Sequence, residues 1–500
     1  MDRRHLLSLA ASFSAYCLTG IAGLSKPARA QRPGSQPNII VIMGDDHARW
    51  SVGTYGFKPP ITPNMDWMAK NGVQFNQAIS PAPVCSPARA SFYTGKIPSQ
   101  HGVHDFLAEA TGVDVDADWL AGETLLSERL KRQNYRTALL GKWHATADGR
   151  KPQPGFDRWL SYDAHREGWQ NQYLHRGEVY FSDDGEKTSY TGVQARFLTE
   201  EAIKFIDRPS DDPFFISLNF VEPHAPFEAM PERLVQKYRG MAFDMLSDGG
   251  SSDMADRGAR TSTPKDHDEK LAQYLAAVAL IDEQIGRVVD ALEGRGLLEN
   301  TIVVYTSDHG LLLGKYGLYG KVNATQPANF YQDTISIPLI AYSGGDYIRR
   351  SQQRPEFVDL LDLHATVMDF ATPGGSAKSG YGPGVSLRPL LAGGRFPNWR
   401  KFHFAERANA RMISDGRWKL VRYYRRDQFA APQDMWYDLS HPLGEGRSAL
   451  TPPAKVVQKI LISALEDHFS AFEVADKSGR TIWDQPAPNP RLANDLKSYE

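Results

Sequence analysis

The chain has 500 residues, of which 41% are hydrophobic and 23% are charged, with 57 basic and 59 acidic side chains. These proportions are typical of a globular protein, and the length suffices for one large domain with an appendage or for two or three ordinary domains. Because the formal charge is −2, the composition excludes the basic footprint of a general nucleic-acid-binding protein. An anionic substrate must therefore meet positive charge that is gathered locally.

Residues 1–30 are predicted to be a signal peptide. Arg3 and Arg4 precede a mostly apolar run, and a small-x-small cleavage site ends at Ala30. The paired arginines favour the twin-arginine export route. The alternative is an uncleaved membrane anchor, because the run approaches the length that spans a bilayer. We expect a cleaved signal, and hence a periplasmic or secreted bacterial protein without stable membrane insertion.

Four short apolar runs, beginning at residues 38, 136, 214 and 301, each end abruptly in polar residues. Runs of this kind are typical of buried strands in a mostly parallel sheet, and the helical patterns between them indicate an α/β fold. Ligands of such sheets bind beyond the carboxyl ends of the strands. We therefore expect one site to gather the polar residues that come after the runs, which are Asp45, Asp46, Lys142, His144, Glu222, His224, Asp308 and His309.

The second half of the chain predicts a long helix, a loop, a linker and a smaller domain. The helical pattern covers 269–293, and the polar, glycine-rich residues 245–268 predict a long loop near the mouth of the site. Residues 371–384 are rich in Gly, Pro and Ser and predict a linker. We therefore expect a catalytic domain over 31–375 and a C-terminal subdomain over 376–500. Two strands and a helix are predicted in this subdomain, at 418–424, 435–439 and 454–470.

The polar residues at the strand ends suggest two kinds of chemistry. Three carboxylates with one adjacent histidine suit a hard divalent cation, Ca²⁺ or Mg²⁺, although a pair of aspartates after a strand can also cap a helix. Arginine, lysine and histidine side chains suit an anionic ester, because cations hold its oxygens and a histidine protonates the leaving oxygen. Taken singly, each histidine or lysine could instead be structural or simply solvated.

Cys85 is the only cysteine outside the predicted signal peptide, because the other one is Cys17. It therefore has no partner for an internal disulfide or a multi-thiolate metal site. Cys85 opens a Cys-x-Pro-x-Arg motif that ends at Arg89, with Thr-Gly following at 94–95. On this motif the chain resembles the type I, formylglycine-dependent sulfatases of the alkaline phosphatase superfamily. Further motifs of that family occur within residues 36–445, namely Gly44–Asp46, Gly141–His144, Pro223–Phe227, Ser307–Gly310, Gly320–Lys321, Ser386–Leu391 and Arg417–Val421.

The resemblance implies an αβα sandwich around a large, mostly parallel mixed sheet, with a smaller C-terminal α+β domain that holds an antiparallel sheet. It implies that a formylglycine-generating enzyme oxidises Cys85 to formylglycine, whose hydrated aldehyde attacks sulfur. The implied ligands of the cation are Asp45, Asp46, Asp308, His309 and the oxygen of residue 85, and Asp308 would accept the nucleophile's proton. Because many members carry Asn in place of His309, the choice between Ca²⁺ and Mg²⁺ stays open.

The resemblance also implies roles for the cationic residues and the histidines. Arg89 would orient the hydrated aldehyde, and Lys142 would bridge it and the sulfate group. His224, together with Lys321, would protonate or stabilise the leaving oxygen. His144 would then deprotonate the second hydroxyl of the hydrated aldehyde, so that the aldehyde re-forms and sulfate is ejected. A serine at position 85 has no second hydroxyl and could not release sulfate in this way.

The substrate class is predicted by analogy. Analogy with exported bacterial sulfatases favours a sulfated carbohydrate. Candidate pocket residues, which could equally form surface or interdomain salt bridges, are His101, His104, Asp105, Glu406, Arg407 and Arg411. One alternative function is hydrolysis of a phosphonate monoester or a phosphodiester within the same superfamily. Another is a non-catalytic binder of sulfated glycans that keeps the pocket but lacks the aldehyde.

Overall fold

The computed structural model describes residues 36–59, 61–109, 112–162, 177–241, 264–374, 380–426, 433–441, 444–446 and 452–485. The predicted signal peptide, most of the predicted 245–268 loop and the proposed domain boundary at 375/376 lie outside these residues. None of the helices in the described part of the chain is long and apolar enough to cross a membrane.

The strands are β1 (Asn38–Gly44), β2 (Val73–Ile79), β3 (Arg136–Gly141), β4 (Arg158–Ser161), β5 (Glu178–Asp183), β6 (Glu186–Thr191), β7 (Phe214–Asn219), β8 (Thr301–Ser307), β9 (Leu312–Leu313), β10 (Tyr319–Gly320), β11 (Leu339–Ser343), β12 (Gln352–Asp359), β13 (His403–Arg407), β14 (Ala410–Ser414), β15 (Trp418–Tyr423) and β16 (Gln433–Asp438). The α-helices are α1 (Pro63–Asn71), α2 (Cys85–Thr94), α3 (Pro98–His101), α4 (Leu126–Lys131), α5 (Gln194–Asp207), α6 (Glu232–Val235), α7 (His267–Gly294), α8 (Gln332–Ile335), α9 (Leu360–Ala371), α10 (Arg388–Leu391) and α11 (Lys455–Phe472).

Ten strands form one mixed sheet in the order β12-β2-β11-β8-β1-β7-β3-β4-β5-β6. Its centre is parallel, because β8, β1, β7, β3 and β4 pair in parallel. Strand β11 is antiparallel to both of its neighbours, and β5 reverses direction at the far edge. The carboxyl ends of the central strands therefore meet at a single edge of the sheet, as the apolar runs predict.

Helices cover both faces of this sheet. Alternate residues of each strand point to opposite sides, so the apolar strands present an apolar surface on each face for helices to pack against. Ile40 and Ile42 of β1 pack in a core with α1, α5 and α7, while Ile39, Val41 and Met43 pack in a second core with α2, α4 and α9. The result is the three-layer αβα architecture that the sequence predicts. The predicted helix at 269–293 is confirmed as α7.

A second, antiparallel sheet of four strands, β13-β14-β15-β16, comes later in the chain. One face packs Met412 and Val421 against Leu312 and Phe330 of the main unit, and the other face lies under α11. The predicted strands at 418–424 and 435–439 and the predicted helix at 454–470 are confirmed as β15, β16 and α11.

Candidate active site

The carboxyl ends of β1, β3, β7 and β8 bring the predicted polar residues together. Asp45 and Asp46 follow β1, Asp308 follows β8, and Lys142 follows β3. Neighbouring strands also hold these turns in place, because the amide N–H of Asp308 donates to the carbonyl of Gly44 at 3.3 Å. Asp46 and Asp308, which lie 262 positions apart in sequence, thus converge, as the parallel sheet requires.

Cys85 enters this cluster as the first residue of α2. The preceding residue is extended, all ten residues of the helix are buried, and Gly95 ends it at φ 74°. The Cys85 sulfur lies 3.4 Å from Asp45 Oδ1, 3.2 Å from His309 Nε2 and 3.1 Å from Lys321 Nζ. Burial, reinforced by the Asp45 carboxylate, raises the pKa of the thiol far above its usual value. The unmodified residue is therefore a neutral thiol and a weak nucleophile.

Arg89, one turn further along α2, connects two carboxylates to the end of β3. Its Nε donates to Asp308 Oδ2 at 3.0 Å, its Nη1 donates to the Lys142 carbonyl at 3.0 Å, and its Nη2 lies 3.8 Å from Asp45 Oδ1. Burial disfavours the charged guanidinium, but Asp308 and Asp45 outweigh it and raise the Arg89 pKa. Burial and the charge of Asp45 raise the pKa of Asp308. This side of the cluster is a closely coupled buried ion network.

Two lysines pair with the two aspartates that follow β1. Lys142 Nζ donates to Asp45 Oδ2, and Lys321 Nζ donates to Asp46 Oδ1 at 2.7 Å. Although burial alone would raise the pKa of Asp45, the charge of Lys142 and of other nearby cations holds it well below its usual value. The side chain of Lys321 is 14% exposed and that of Lys142 only 2%. Lys321 therefore stands at the solvent side of the cluster and Lys142 at its base.

His224 is the second partly exposed member of the cluster, with a side chain 14% exposed. Its Nε2 lies 3.5 Å from Asp46 Oδ2, and its Nδ1 donates to the carbonyl of Ala225 at 2.6 Å. Burial lowers the pKa of His224 to about 4, although Asp46 and Asp45 act in the opposite direction. The imidazole is therefore neutral in this state, and an anion bound beside it would favour its protonated form.

His144 takes its position from contacts around the loop that follows α3. Its Nε2 donates to the carbonyl of Leu107 at 2.9 Å, and the ring of Phe106 meets it edge-on at 5.0 Å. Leu107 in turn donates its amide N–H to Ser86 Oγ at 3.1 Å. His144 adopts φ 49°, a left-handed conformation that is costly for a residue with a side chain. It is thus tied to the start of α2 through Leu107 and Ser86.

The donor atoms in the cluster fit a hard divalent cation. One ligand atom from each of Asp45, Cys85, Asp308 and His309 lies within 4.8 Å of the others, and all four residues are buried. His309 Nδ1 lies 2.9 Å from the carbonyl of Gly310, so Nδ1 carries the hydrogen and Nε2 presents a lone pair to the carboxylates. Asp46 adds a further carboxylate, with Oδ1 3.2 Å from His309 Nε2.

The predicted substrate residues connect the small sheet to the main sheet. Arg407 forms a two-point ion pair with Asp105 at 3.2 and 2.6 Å, and Glu406 accepts hydrogen bonds from the amide and the hydroxyl of Ser99, each at 2.6 Å. His104 Nε2 donates to a backbone carbonyl of the C-terminal segment at 2.7 Å. These contacts join the small sheet to the main unit, which is the salt-bridge alternative given in the sequence analysis. A role of these residues in substrate binding stays a prediction.

Two residues that the sequence analysis missed help to build the site. The Tyr274 hydroxyl of α7 donates to the Asp46 carbonyl at 3.1 Å and accepts the amide N–H of Ala48 at 3.0 Å. Asn219 Nδ2, at the end of β7, donates to the Lys142 carbonyl at 2.8 Å. Tyr274 falls within the apolar periodicity of a helix, where it is indistinguishable from a core aromatic. Asn219 was a visible signal, because it is polar within an apolar run.

Comparison with known proteins extends this picture. A family model described as Sulfatase matches residues 37–373, which is more than half of the chain. The chain belongs to the sulfatase family. This sulfatase is therefore an enzyme of the alkaline phosphatase superfamily that acts on sulfate esters. It is 30% identical over 368 residues to the uncharacterized sulfatase YidJ of Escherichia coli strain K12, with 68% of this chain and 69% of that protein covered.

Two further relatives of this sulfatase carry information about substrates in their names. It is 27% identical over 447 residues to an N-acetylglucosamine-6-O-sulfatase of Bacteroides thetaiotaomicron, with 74% of each chain covered. A solved structure of a complex with D-glucosamine-2-N,6-O-disulfate as substrate superposes with a TM-score of 0.73 at 24% identity, covering 89% of this chain and 99% of that one. At this identity the superposition establishes the fold alone.

Proposed function

We propose that this sulfatase removes sulfate from a sulfated carbohydrate, using a formylglycine made from Cys85 and a divalent cation. The cation, Ca²⁺ with Mg²⁺ as the alternative, would be held by Asp45, Asp46, Asp308 and His309. The observation that carries the proposal is the position of the Cys85 sulfur, 3.1–3.4 Å from a lysine, an imidazole and a carboxylate. A cationic group and two of the proposed metal ligands thus lie around one atom of the side chain that would carry the nucleophile.

The charges of the cluster match a monoanionic ester. Three buried carboxylates face three cationic side chains, Arg89, Lys142 and Lys321, so the protein groups alone are close to neutral. A divalent cation adds two positive charges. A sulfate monoester supplies one negative charge and an ionised nucleophile supplies the other, so the site is close to neutral. A phosphate monoester dianion in the same place would leave a net negative charge. The charge balance therefore favours a substrate with a single negative charge.

The base of the cluster would hold the nucleophile and the sulfate group. The hydrated aldehyde supplies two hydroxyls on one carbon, one to attack sulfur and one to allow later release of sulfate, and the cation supplies positive charge beside them. Arg89, fixed by Asp308 and by the Lys142 carbonyl, would keep residue 85 in one orientation. Lys142 would bind the non-bridging oxygens, where negative charge develops.

The solvent side of the cluster would serve the leaving alcohol. His224 and Lys321 are its two more exposed members, so the bulk of a sugar would lie against them. Lys321 would stabilise the leaving oxygen, and His224, once the bound anion favours its protonated form, would donate a proton to it. His144, whose Nε2 hydrogen is engaged by the Leu107 carbonyl, would accept a proton at Nδ1 as sulfate leaves.

A sugar substrate is supported by relatives and by the predicted export signal. The named relative from Bacteroides thetaiotaomicron acts on an N-acetylglucosamine 6-sulfate ester. A signal peptide over 1–30 would take the enzyme to the periplasm or the medium, where polysaccharides are met. A panel of sulfated mono- and oligosaccharides, each assayed for released sulfate, tests this part of the proposal. Turnover confined to non-sugar esters such as choline sulfate would contradict it.

Intact-mass analysis of the Cys85 peptide from the native host tests the modification. We expect the lower mass of an aldehyde in place of a thiol, and an aldehyde that reacts with hydrazine probes. In the same protein Cys85→Ala should abolish cleavage of 4-nitrophenyl sulfate without loss of the folded state. Cys85→Ser serves as the matched control, because serine has one hydroxyl where the hydrated aldehyde of formylglycine has two. An unmodified cysteine in the native protein would favour the non-catalytic glycan binder instead.

Phosphodiester or phosphonate monoester hydrolysis is the second candidate, because those esters also carry a single negative charge. Rates of cleavage of a sulfate ester and a phosphodiester of the same phenol separate the two, since the leaving group is then identical. We expect the sulfate ester to be cleaved with the higher kcat/KM. Faster cleavage of the phosphodiester would reverse the assignment.

A further inference from the structure

A polar cleft of about 430 Å³ lies beside the candidate active site. One wall is the pair of 3₁₀ turns Arg49–Ser51 and Gly53–Tyr55, which continue directly from the loop that carries Asp46. Asp333 of α8 also lines the cleft, and the Thr334 carbonyl of the same helix accepts the amide N–H of Gly310 at 3.0 Å. The cleft volume lies within the range of small-ligand sites in proteins. The cleft therefore adjoins the loop that carries Asp46 and a helix that is hydrogen-bonded to the residue after His309.

Several side chains of the cleft are held by hydrogen bonds to one another or to the backbone. Gln74 on β2 donates to Asn76 Oδ1 at 2.8 Å and accepts from the hydroxyl of Thr54. The hydroxyl of Tyr55 lies 3.1 Å from each of the Phe75 and Leu339 carbonyls, which fixes its ring in the wall. A site whose groups are fixed in advance loses less entropy when a ligand binds.

Arg49 gives the cleft an uncompensated positive charge. Its Nη1 donates to the Asn76 carbonyl and its guanidinium lies 5.9 Å over the Tyr55 ring, but no carboxylate of the described residues forms an ion pair with it. The one acidic residue of the lining, Asp333, is already paired with Lys315 at 2.9 Å. A half-buried guanidinium without an acid partner is a ready site for an oxyanion, which it can bind with two parallel hydrogen bonds.

Neutral donors and aromatic surface surround this charge. Within the described chain, the side-chain amide N–H groups of Asn76 and Gln353 take part in no hydrogen bond, and the hydroxyl of Ser336 also lines the cleft. Trp50 and Tyr55 provide apolar ring surface. The amides and hydroxyls can bind the hydroxyl groups of a sugar, and the aromatic rings can pack on its apolar carbon face. The guanidinium can bind a negatively charged substituent. Together these groups fit an anionic sugar residue.

We propose that this cleft, the Arg49 cleft, is a second binding site for a sulfated sugar residue, separate from the catalytic cluster. The donors alone would accept any anionic sugar, and the choice of sulfate rests on the proposed function. The site would hold a sugar residue several positions away from the one being cleaved in the same oligosaccharide, or a residue of a second glycan chain. It would hold this residue beside the loop that carries Asp46. Its role would be to retain a sulfated glycan at the enzyme between catalytic events.

Titration calorimetry on the full chain carrying Cys85→Ala tests the proposal without any need for turnover. The probe is a κ-carrageenan tetrasaccharide, and the comparison probe is the same tetrasaccharide after desulfation. Adding Arg49→Ala should weaken binding of the sulfated probe roughly tenfold or more, because a charge-assisted hydrogen bond is lost. Gln353→Glu, at an exposed residue on the rim that tolerates the change, should weaken binding of the sulfated probe by repulsion.

Arg208→Ala is the matched control. Arg208 also lies over an aromatic ring, 5.3 Å from that of Phe205, but it follows α5, which packs on β3 and β7 and does not line the cleft. It should leave the dissociation constant unchanged. Equal affinities of the Arg49 and Arg208 variants for the sulfated probe, or equal affinity of the parent for both probes, would overturn the second site. Failure to cleave any sulfate ester would overturn the proposed function but leave this comparison of affinities intact.

Discussion

Lys321 is the cationic side chain nearest to the Cys85 sulfur, and it also stands at the solvent side of the cluster. If it stabilises the leaving oxygen, Lys321→Ala should lower kcat for 4-nitrophenyl sulfate by roughly 10²–10³-fold, as removal of a preorganised donor does elsewhere. Lys131→Ala is the control, because Lys131 also pairs with an aspartate but is exposed on α4. A kcat within a few-fold of the parent would remove Lys321 from the proposed mechanism.

Arg89 is fully buried between Asp308 and Asp45, and its loss would leave those carboxylates without a guanidinium partner. Arg89→Leu should therefore lower the free energy of unfolding by about 3–5 kcal/mol, measured by urea denaturation with a chelator present so that no divalent ion compensates. The contrast is Arg233→Ala, which breaks an exposed pair with Glu283 and should cost less than about 1 kcal/mol. Similar decreases in the free energy of unfolding for both variants would mean that burial of the ion network adds nothing to stability.

At the scale of elements, the proposed cation would add a further link between the loops after β1 and β8, which the hydrogen bond from Asp308 to Gly44 already joins. Addition of Ca²⁺ or Mg²⁺ should raise the unfolding temperature, by an amount that corresponds to about 2.7 kcal/mol at a hundred times the dissociation constant. Asp46→Asn should shift this response to higher metal concentration. Differential scanning calorimetry measures both, with Na⁺ at equal ionic strength as the control. A rise of equal size in Na⁺ would identify general screening rather than a site.

The elements of the candidate active site could be predicted because their sequences mark both the end of a strand and the polar residues directly after it. Apolar runs ending before Asp45, Lys142 and Asp308 predict a parallel sheet and the edge where its ligands bind. The order of ten strands and the reversal of β11 could not be predicted, since strand order depends on which faces pack together. Strand β2 was missed because polar residues such as Gln74 and Asn76 interrupt the continuous apolar run that marks the central strands.

The pocket residues could not be assigned for a different reason. Asp105 and Arg407 are 302 positions apart, and nothing local to either residue indicates that they meet as a buried ion pair. Charged residues near a predicted site are equally compatible with binding a substrate and with joining two sheets. Only the packing of β13–β16 on the main unit distinguishes these possibilities. That packing depends on the shapes of both folded surfaces, which local sequence patterns do not reveal.

At the scale of the whole molecule, buried neutral histidines make stability depend on pH. Burial lowers the pKa of His364 to about 4 from an ordinary value of 6.5, and its Nδ1 donates to the Phe92 carbonyl at 2.7 Å. The unfolded chain binds a proton between these values while the folded chain does not. Stability is therefore fully present above about pH 6.5 and falls as the pH drops toward 4, by about 1.4 kcal/mol per pH unit for this group.

His364→Asn keeps a donor for the Phe92 carbonyl but cannot titrate, so it should reduce this slope by the contribution of one proton. Urea denaturation at several pH values between 4 and 7 measures the slope in the variant and the parent. His441→Asn changes an exposed histidine and is the control. The variant comparison cancels opposite contributions from buried acids such as Asp282, whose pKa burial raises to about 6. An unchanged slope would show that His364 charges in the folded state.

In the proposed mechanism, the gradient of burial from Lys142 at 2% to His224 at 14% would also set the order in which products depart. The sulfate end of an ester would lie at the base of the cluster, and the alcohol would lie at the more exposed side, next to His224 and Lys321. The alcohol would therefore block the exit of inorganic sulfate and leave first. Added sulfate should then act as a competitive inhibitor in initial-rate measurements, while the alcohol should inhibit non-competitively. An enzyme of this shape would slow down as free sulfate accumulates around it.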